Sequence, residues 1–292
     1  MSNTSTKLIR VGHSPDADDA FMFYALAKKK IPMYGFEVEH VIEDIESLNQ
    51  RALRGELEVT AVSCHAYAFL ADRYAVMRSG ASVGDQYGPI LVSKGLGTRS
   101  SGLDLAGKRI AIPGKLTTAY LTLQLYSLTV AHCALRGFEP VFIPFDKIID
   151  AVKNGEVDLG LVIHEGQITY AEHGLEKVLN LGAWWHEKMK LPLPLGIDII
   201  RRDLSQDVMR SFAGLFKESI EYALSHRQEA LEYALQFGRG ISGDLNDRFV
   251  AMYVNDRTVD IGQDGEAGFR KLLDEAFQAG IIPKKVNLEF IG

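Results

Sequence analysis

The sequence predicts an α/β protein of two lobes with a cleft between them. Three observations carry this. At 292 residues the chain exceeds the usual range of one compact core and fits two moderate domains. Short apolar runs alternate with helical patterns along most of its length, as in sheets built from βα units. Finally, Gly55-Glu56-Leu57-Glu58-Val59 resembles Gly155-Glu156-Val157-Asp158-Leu159, each string following a helix and opening a buried strand. Two lobes of similar build would turn the polar strand ends at Ser63 and His164 toward one cleft.

The first lobe is expected over residues 1–94 plus 201–292, and the second over 95–200. Lys7 to Gly12 reads as the first strand. Ser14 then suits an N-cap and Pro15 the first position of a helix running from Ala20 to Lys30. Asp16, Asp18 and Asp19 favour the positive end of that helix. Val38 to Ile42 is a strand, Asp44 caps a helix through Arg54, and Gly55 stops it. Leu57 to Val62 is the next strand, and Ile90 to Ser93 a strand leaving the first lobe. The glycine- and serine-rich stretch Gly95 to Gly107 marks the crossing. Arg109 to Ile112 opens the second lobe; a helix follows from Thr117-Thr118 to about Leu135. Val141 to Ile143 is a strand, Asp146 caps a helix to Gly155, and Val157 to Ile163 is a buried strand. Ile197 to Arg201 returns to the first lobe, and the rest is helical.

Composition narrows the function. With 47% apolar and 24% charged residues, the chain is an ordinary globular protein. The net charge is −6, and the longest cationic run, Lys28-Lys29-Lys30, sits where a helix ends, so nucleic acid is not an expected partner. No signal-peptide core opens the chain and no stretch is apolar enough to cross a bilayer, so a cytoplasmic protein without a membrane partner is expected. Cys64 and Cys133 read as buried thiols.

Two stretches carry candidate chemistry. His164 follows the apolar strand, and ligands of open sheets bind outside the carboxyl ends of strands. An imidazole there takes a proton near neutral pH, or simply bonds a neighbouring loop. Gly114-Lys115-Leu116-Thr117-Thr118-Ala119 turns into a helix start, whose outward N–H groups favour an anion such as a carboxylate; a plain threonine cap is the alternative. At the first helix the aspartates repel anions and suit ligand hydroxyls instead. Asn49 stands mid-helix without a propensity reason, where a solvent-facing residue is the commoner case, and Trp184-Trp185 reads as core rather than as a ligand-stacking pair. No histidine or aspartate cluster has metal-ligand spacing, so no metal is expected.

Several long strings are recognisable: HSPDADDAFMFYAL, EDIESLNQRAL, PGKLTTAYLTLQLY, GLVIHEGQITY and LGAWWHEKMKLPLPLG. Through them the chain resembles the 1,4-dihydroxy-6-naphthoate synthases of the futalosine route to menaquinone. That family is related to chorismate dehydratase and to type II periplasmic-binding-protein folds. The opening departs from the family's other form, Ser-Pro-Cys-Pro-Asn-Asp, but keeps Ser14, Pro15 and Asp19. The resemblance implies a lyase that splits cyclic dehypoxanthine futalosine without a redox cofactor. It implies His164 as general base and Asn49, Ser63, Thr118 and Ala119 as pocket residues. With Thr117, Ser14 and Asp19 they form the expected site for a small molecule carrying a carboxylate and sugar-derived hydroxyls. The rival expectations are a solute-binding protein of the same fold, or chorismate dehydratase.

Overall fold

The structure is a computed structural model and describes residues 6–95, 103–130, 137–237 and 243–292. It divides into two compact units. The first comprises Met1–Val83, Gly196–Glu266 and Val286–Gly292; the second comprises Gly84–Leu195 and Ala267–Lys285. The crossings thus fall at Val83–Gly84 and Leu195–Gly196, and a late segment, Ala267–Lys285, joins the second unit.

In chain order the elements are β1 (Lys7–His13), α1 (Ala17–Ala27), β2 (Phe36–Ile42), α2 (Ile45–Arg54), β3 (Val59–Ser63), α3 (Cys64–Tyr67), β4 (Tyr74–Met77) and β5 (Ser82–Gly84). There follow β6 (Ile90–Ser93), β7 (Arg109–Ile112), α4 (Thr118–Val130), β8 (Glu139–Phe142), α5 (Ile148–Lys153), β9 (Leu159–Val162), α6 (Gly166–Thr169), β10 (Glu176–Asn180), α7 (Leu181–Met189) and β11 (Leu193–Arg201). The chain ends with α8 (Gln206–Ser225), α9 (Arg227–Ala234), α10 (Gly243–Tyr253), α11 (Asp256–Val259), α12 (Gly262–Gln278) and β12 (Phe290–Ile291).

The first unit's sheet runs β12-β4-β11-β3-β1-β2. β1 is parallel to β2 and β3, while β11 is antiparallel to both β3 and β4. α1 is buried almost all round, as a helix enclosed by other elements must be. Phe23 of α1 stacks on Phe216 of α8 at 4.6 Å. Phe212, Phe216 and Ile220 form one buried stripe of α8 at four-residue spacing. Each such side chain contributes about 1.5–3 kcal/mol by leaving water. α2 follows its sequence signals: Asp44 accepts from the Glu46 and Ser47 N–H groups at 3.1 Å, and Gly55 ends it in the left-handed conformation at φ 73°.

The second unit's sheet runs β10-β6-β9-β7-β8. β9 lies between β6 and β7, and its four residues are all buried. Leu159 and Leu161 pack with Ile110, Ile112 and Leu123 on one face; Val162 packs with Ile148 and Val152 on the other. Burial on both faces is why this strand reads as an unbroken apolar run.

Several expectations change. Ile90–Ser93 does not stay with the first lobe, because it pairs antiparallel with β9 and β10. Ser14 is not the N-cap of α1: the helix starts at Ala17, with Asp16 at the cap and no side-chain cap bond. Asp146 does not cap α5; it lies in a 3₁₀ turn, Phe145–Lys147, that leads into the helix. β5, β10 and α7 were not expected. Cys64 is a buried thiol; Cys133 lies outside the described residues, as do most of the expected crossing stretch and the expected helix end near Leu135.

At the end of β1, His13 is 1% exposed and stacks on Phe23 at 4.6 Å. Its Nδ1 faces the Ser14 carbonyl at 3.0 Å, so Nδ1 carries the proton and Nε2 accepts from His40 Nδ1–H at 3.1 Å. Burial first, and the neighbouring His40 next, hold the His13 pKa down to about 4 from 6.5. The unfolded chain takes up that proton near its ordinary value, so this contribution is complete above pH 6.5 and is lost as pH falls toward 4. The loss should reach about 3 kcal/mol at the acid end, read as a falling urea midpoint. His13→Gln should flatten that arm of the profile; an unchanged slope would contradict it.

Candidate active site

In the second unit, β9 ends at Val162 and His164 follows in the left-handed region at φ 53°. A non-glycine residue there costs free energy, and such residues gather at functional sites. The conformation turns the chain sharply from the strand into α6, and Gln167 N–H donates to the His164 carbonyl at 3.1 Å. The half-buried imidazole meets the Phe145 ring edge-on, with centroids 4.9 Å apart. Phe145 comes from the turn before α5, so the packing of α5 on β9 also places the ring contact.

The Gly114–Ala119 turn is internally bonded; Gly114, Thr117, Thr118 and Ala119 are buried and Lys115 is exposed. Thr117 is a helix cap: its Oγ1 donates to the Gly114 carbonyl at 2.9 Å and accepts from Tyr120 N–H at 3.2 Å. Thr118 donates its hydroxyl proton to the Leu195 carbonyl at 2.5 Å. Ala119 is 3% exposed. Both hydroxyl protons therefore have protein acceptors here, and the donors that a helix start leaves for an anion are backbone N–H groups.

In the first unit, Asn49 is fully buried rather than solvent-facing. Its Oδ1 accepts from Ser63 N–H at 2.9 Å and its Nδ2 donates to Ser63 Oγ at 3.2 Å. One amide thus locks α2 to the end of β3 and orients the serine hydroxyl. Ser14 N–H donates to Asp19 Oδ2 at 2.6 Å, and Ser14 Oγ donates to Asp16 Oδ2 at 2.7 Å. The aspartates at the start of α1 order the preceding loop as well as complementing the helix dipole.

Trp185 is core, fully buried with Nε1–H donating to the Pro192 carbonyl at 3.1 Å, and Trp184 packs on Tyr126. Among the described residues no group of three or more His, Cys, Asp and Glu is placed to hold a metal ion. No described helix is long and apolar enough to cross a membrane. Sequence reasoning passed over Phe145, whose role depends on a contact nineteen residues away. It also passed over Asp198, although a carboxyl flanked by Ile197, Ile199 and Ile200 is a signal in itself.

The class of protein follows from the fold. The alkanesulfonate-binding protein SsuA of Xanthomonas axonopodis pv. citri superposes with a TM-score of 0.68 over 97% of this chain and 96% of its own, at 14% identity. This is the periplasmic-binding-protein-like architecture. A crystal structure of a protein from Archaeoglobus fulgidus is much nearer, with 50% identity and a TM-score of 0.87 over 97% of this chain and all of its own. In sequence, the 1,4-dihydroxy-6-naphthoate synthase of Thermus thermophilus is 40% identical over 94% of this chain and 95% of its own. The family model described as menaquinone biosynthesis matches residues 9–278, and the chain belongs to that family.

The Asn49–Ser63 lock is directly testable. Asn49→Ala leaves the buried Ser63 N–H without its acceptor, a loss of about 1–3 kcal/mol. Denaturant unfolding should register a drop of that size. A variant within about 0.5 kcal/mol of wild type, the usual range for surface substitutions, would show that the lock carries no weight.

Proposed function

We propose that this protein is a 1,4-dihydroxy-6-naphthoate synthase, a lyase that releases the naphthoate from cyclic dehypoxanthine futalosine. The family match over residues 9–278 carries the reading, and the Thermus thermophilus relative of that name supports it. His164 acts as the general base. A neutral imidazole accepts a proton at one ring nitrogen while the other donates, and such transfer contributes on the order of a hundred- to ten-thousandfold. Its left-handed backbone and the Phe145 edge restrict the ring to few orientations, as a positioned base requires.

In the second unit, the Thr118 and Ala119 N–H groups take the substrate carboxylate, and Thr117 shapes the turn as its cap. Thr118 adds its hydroxyl by turning from Leu195 to the ligand. In the first unit, Ser63, Ser14 and Asp19 hold hydroxyls. Asn49, its amide engaged by Ser63, orients that serine. The reaction needs no redox cofactor, and the enzyme works in the cytoplasm.

Incubation with cyclic dehypoxanthine futalosine should release the naphthoate, followed by chromatography, while chorismate should be returned unchanged. Binding without turnover would leave a solute-binding protein, and conversion of chorismate would make it the dehydratase. Thr118→Val keeps the side-chain shape and removes the hydroxyl. A bond to a charged partner is worth roughly 1.5–3 kcal/mol, and turning from Leu195 offsets part of it, so substrate affinity should fall about tenfold. A substrate analogue without the carboxylate should lose far less. Equal losses for both would mean that Thr118 does not serve the carboxylate.

A further inference from the structure

Asp198 lies in β11 among isoleucines and is 1% exposed. A carboxyl in such a place ordinarily carries an ion pair or several hydrogen bonds. Its Oδ1 is buried and meets no hydrogen-bond partner among the described residues. Its Oδ2 lies over Gly80, where a Cβ would stand 2.2 Å from it and 2.6 Å from the Phe216 ring. Gly80 has φ +93° and donates its N–H to the Thr258 carbonyl at 2.7 Å. The backbone at this point leaves room for the carboxyl that any other residue would fill.

The register gives the carboxyl its neighbours. Gly196 pairs with Ser63 and Asp198 with Ala61. Residues paired across two strands share a face, and so do residues two apart, so Asp198 and Ser63 project from the same side of the sheet. Asp19 at the start of α1 is close enough for its charge to act on Asp198. Burial first, and that charge next, push the Asp198 carboxyl well above the ordinary carboxylate range, which favours its neutral form. A neutral acid donates through one oxygen and accepts through the other, which is what a ligand hydroxyl requires of its partner. Among the described residues the buried Oδ1 gains no hydrogen bond to offset its desolvation, so an apolar residue of similar size should be tolerated by the fold. Retention of such a group at a loss in stability is characteristic of residues that serve a ligand.

We propose that Asp198 is a further substrate-binding residue, holding a ligand hydroxyl beside Ser63 and Asp19. The assignment rests on the reading that those two residues take hydroxyls. Asp198→Val removes donor and acceptor at similar size, and Asp198→Asn keeps both without a charge. The valine variant should melt no lower than wild type yet show a KM for cyclic dehypoxanthine futalosine raised about tenfold. The asparagine variant should stay within about threefold of wild type. A valine variant that folds with unchanged KM and kcat would overturn the proposal. If it does not fold, Asp198→Ala gives the same decision. Ser63→Ala and Asp19→Asn separate the two failures. If they raise KM while the Asp198 variants do not, the hydroxyl reading stands and Asp198 is only a buried acid. If none of them does, the hydroxyl reading itself fails.

Discussion

A strand buried on both faces has little room for polar side chains except at its ends, and that constraint organises each unit. β9 satisfies it with leucines on one side and Val162 on the other, then turns at His164 through a left-handed residue. β3 satisfies it with five buried residues and ends on Ser63, which Asn49 fixes through both of its amide atoms. The polar groups fall where the sheet hydrogen bonds stop, and the side chains nearest them are committed to holding them still.

The two units reach this in different ways. In the second, backbone conformation and a ring contact orient His164, and a threonine cap closes the Gly114 turn. In the first, side-chain hydrogen bonds do the work: Asn49 to Ser63, and Asp16 and Asp19 to Ser14. Hydrogen bonds to charged acceptors are the stronger kind, so the loop before α1 is tightly held despite its density of like charge. Two buried polar groups stand in strand middles rather than at ends: Thr60, whose hydroxyl donates to the Ala61 carbonyl, and Asp198, whose Oδ1 meets no hydrogen-bond partner among the described residues.

Much of this was legible from the residues. Asp44 and Gly55 bracket α2 as their types require, and the apolar runs of β1, β3, β7 and β9 are strands. What the residues did not disclose depends on contacts distant in sequence. Ile90–Ser93 reads as a strand, but nothing local says which sheet it joins. β5 is three residues long and β10 carries exposed Glu176 and Lys177, so neither has an apolar signature. Asn49 looked like a solvent residue because its partner, Ser63, lies fourteen positions on. The candidate site residues are marked by strand ends and helix starts, whereas the roles expected of them come from the family resemblance. Asp198 stood in plain view among isoleucines, yet periodicity alone treats such a residue as noise in a strand.

In the proposed reaction His164 is the proton acceptor. His164→Ala removes the imidazole and relieves an unfavourable backbone conformation little, so the protein should fold and bind substrate. Single-turnover release of the naphthoate should fall at least about a hundredfold, in line with the usual contribution of a general base. Added free imidazole should restore part of the rate, with a dependence on pH that follows the neutral form of the added base. A variant that turns over at nearly the wild-type rate, or one whose residual rate ignores imidazole, would contradict the assignment.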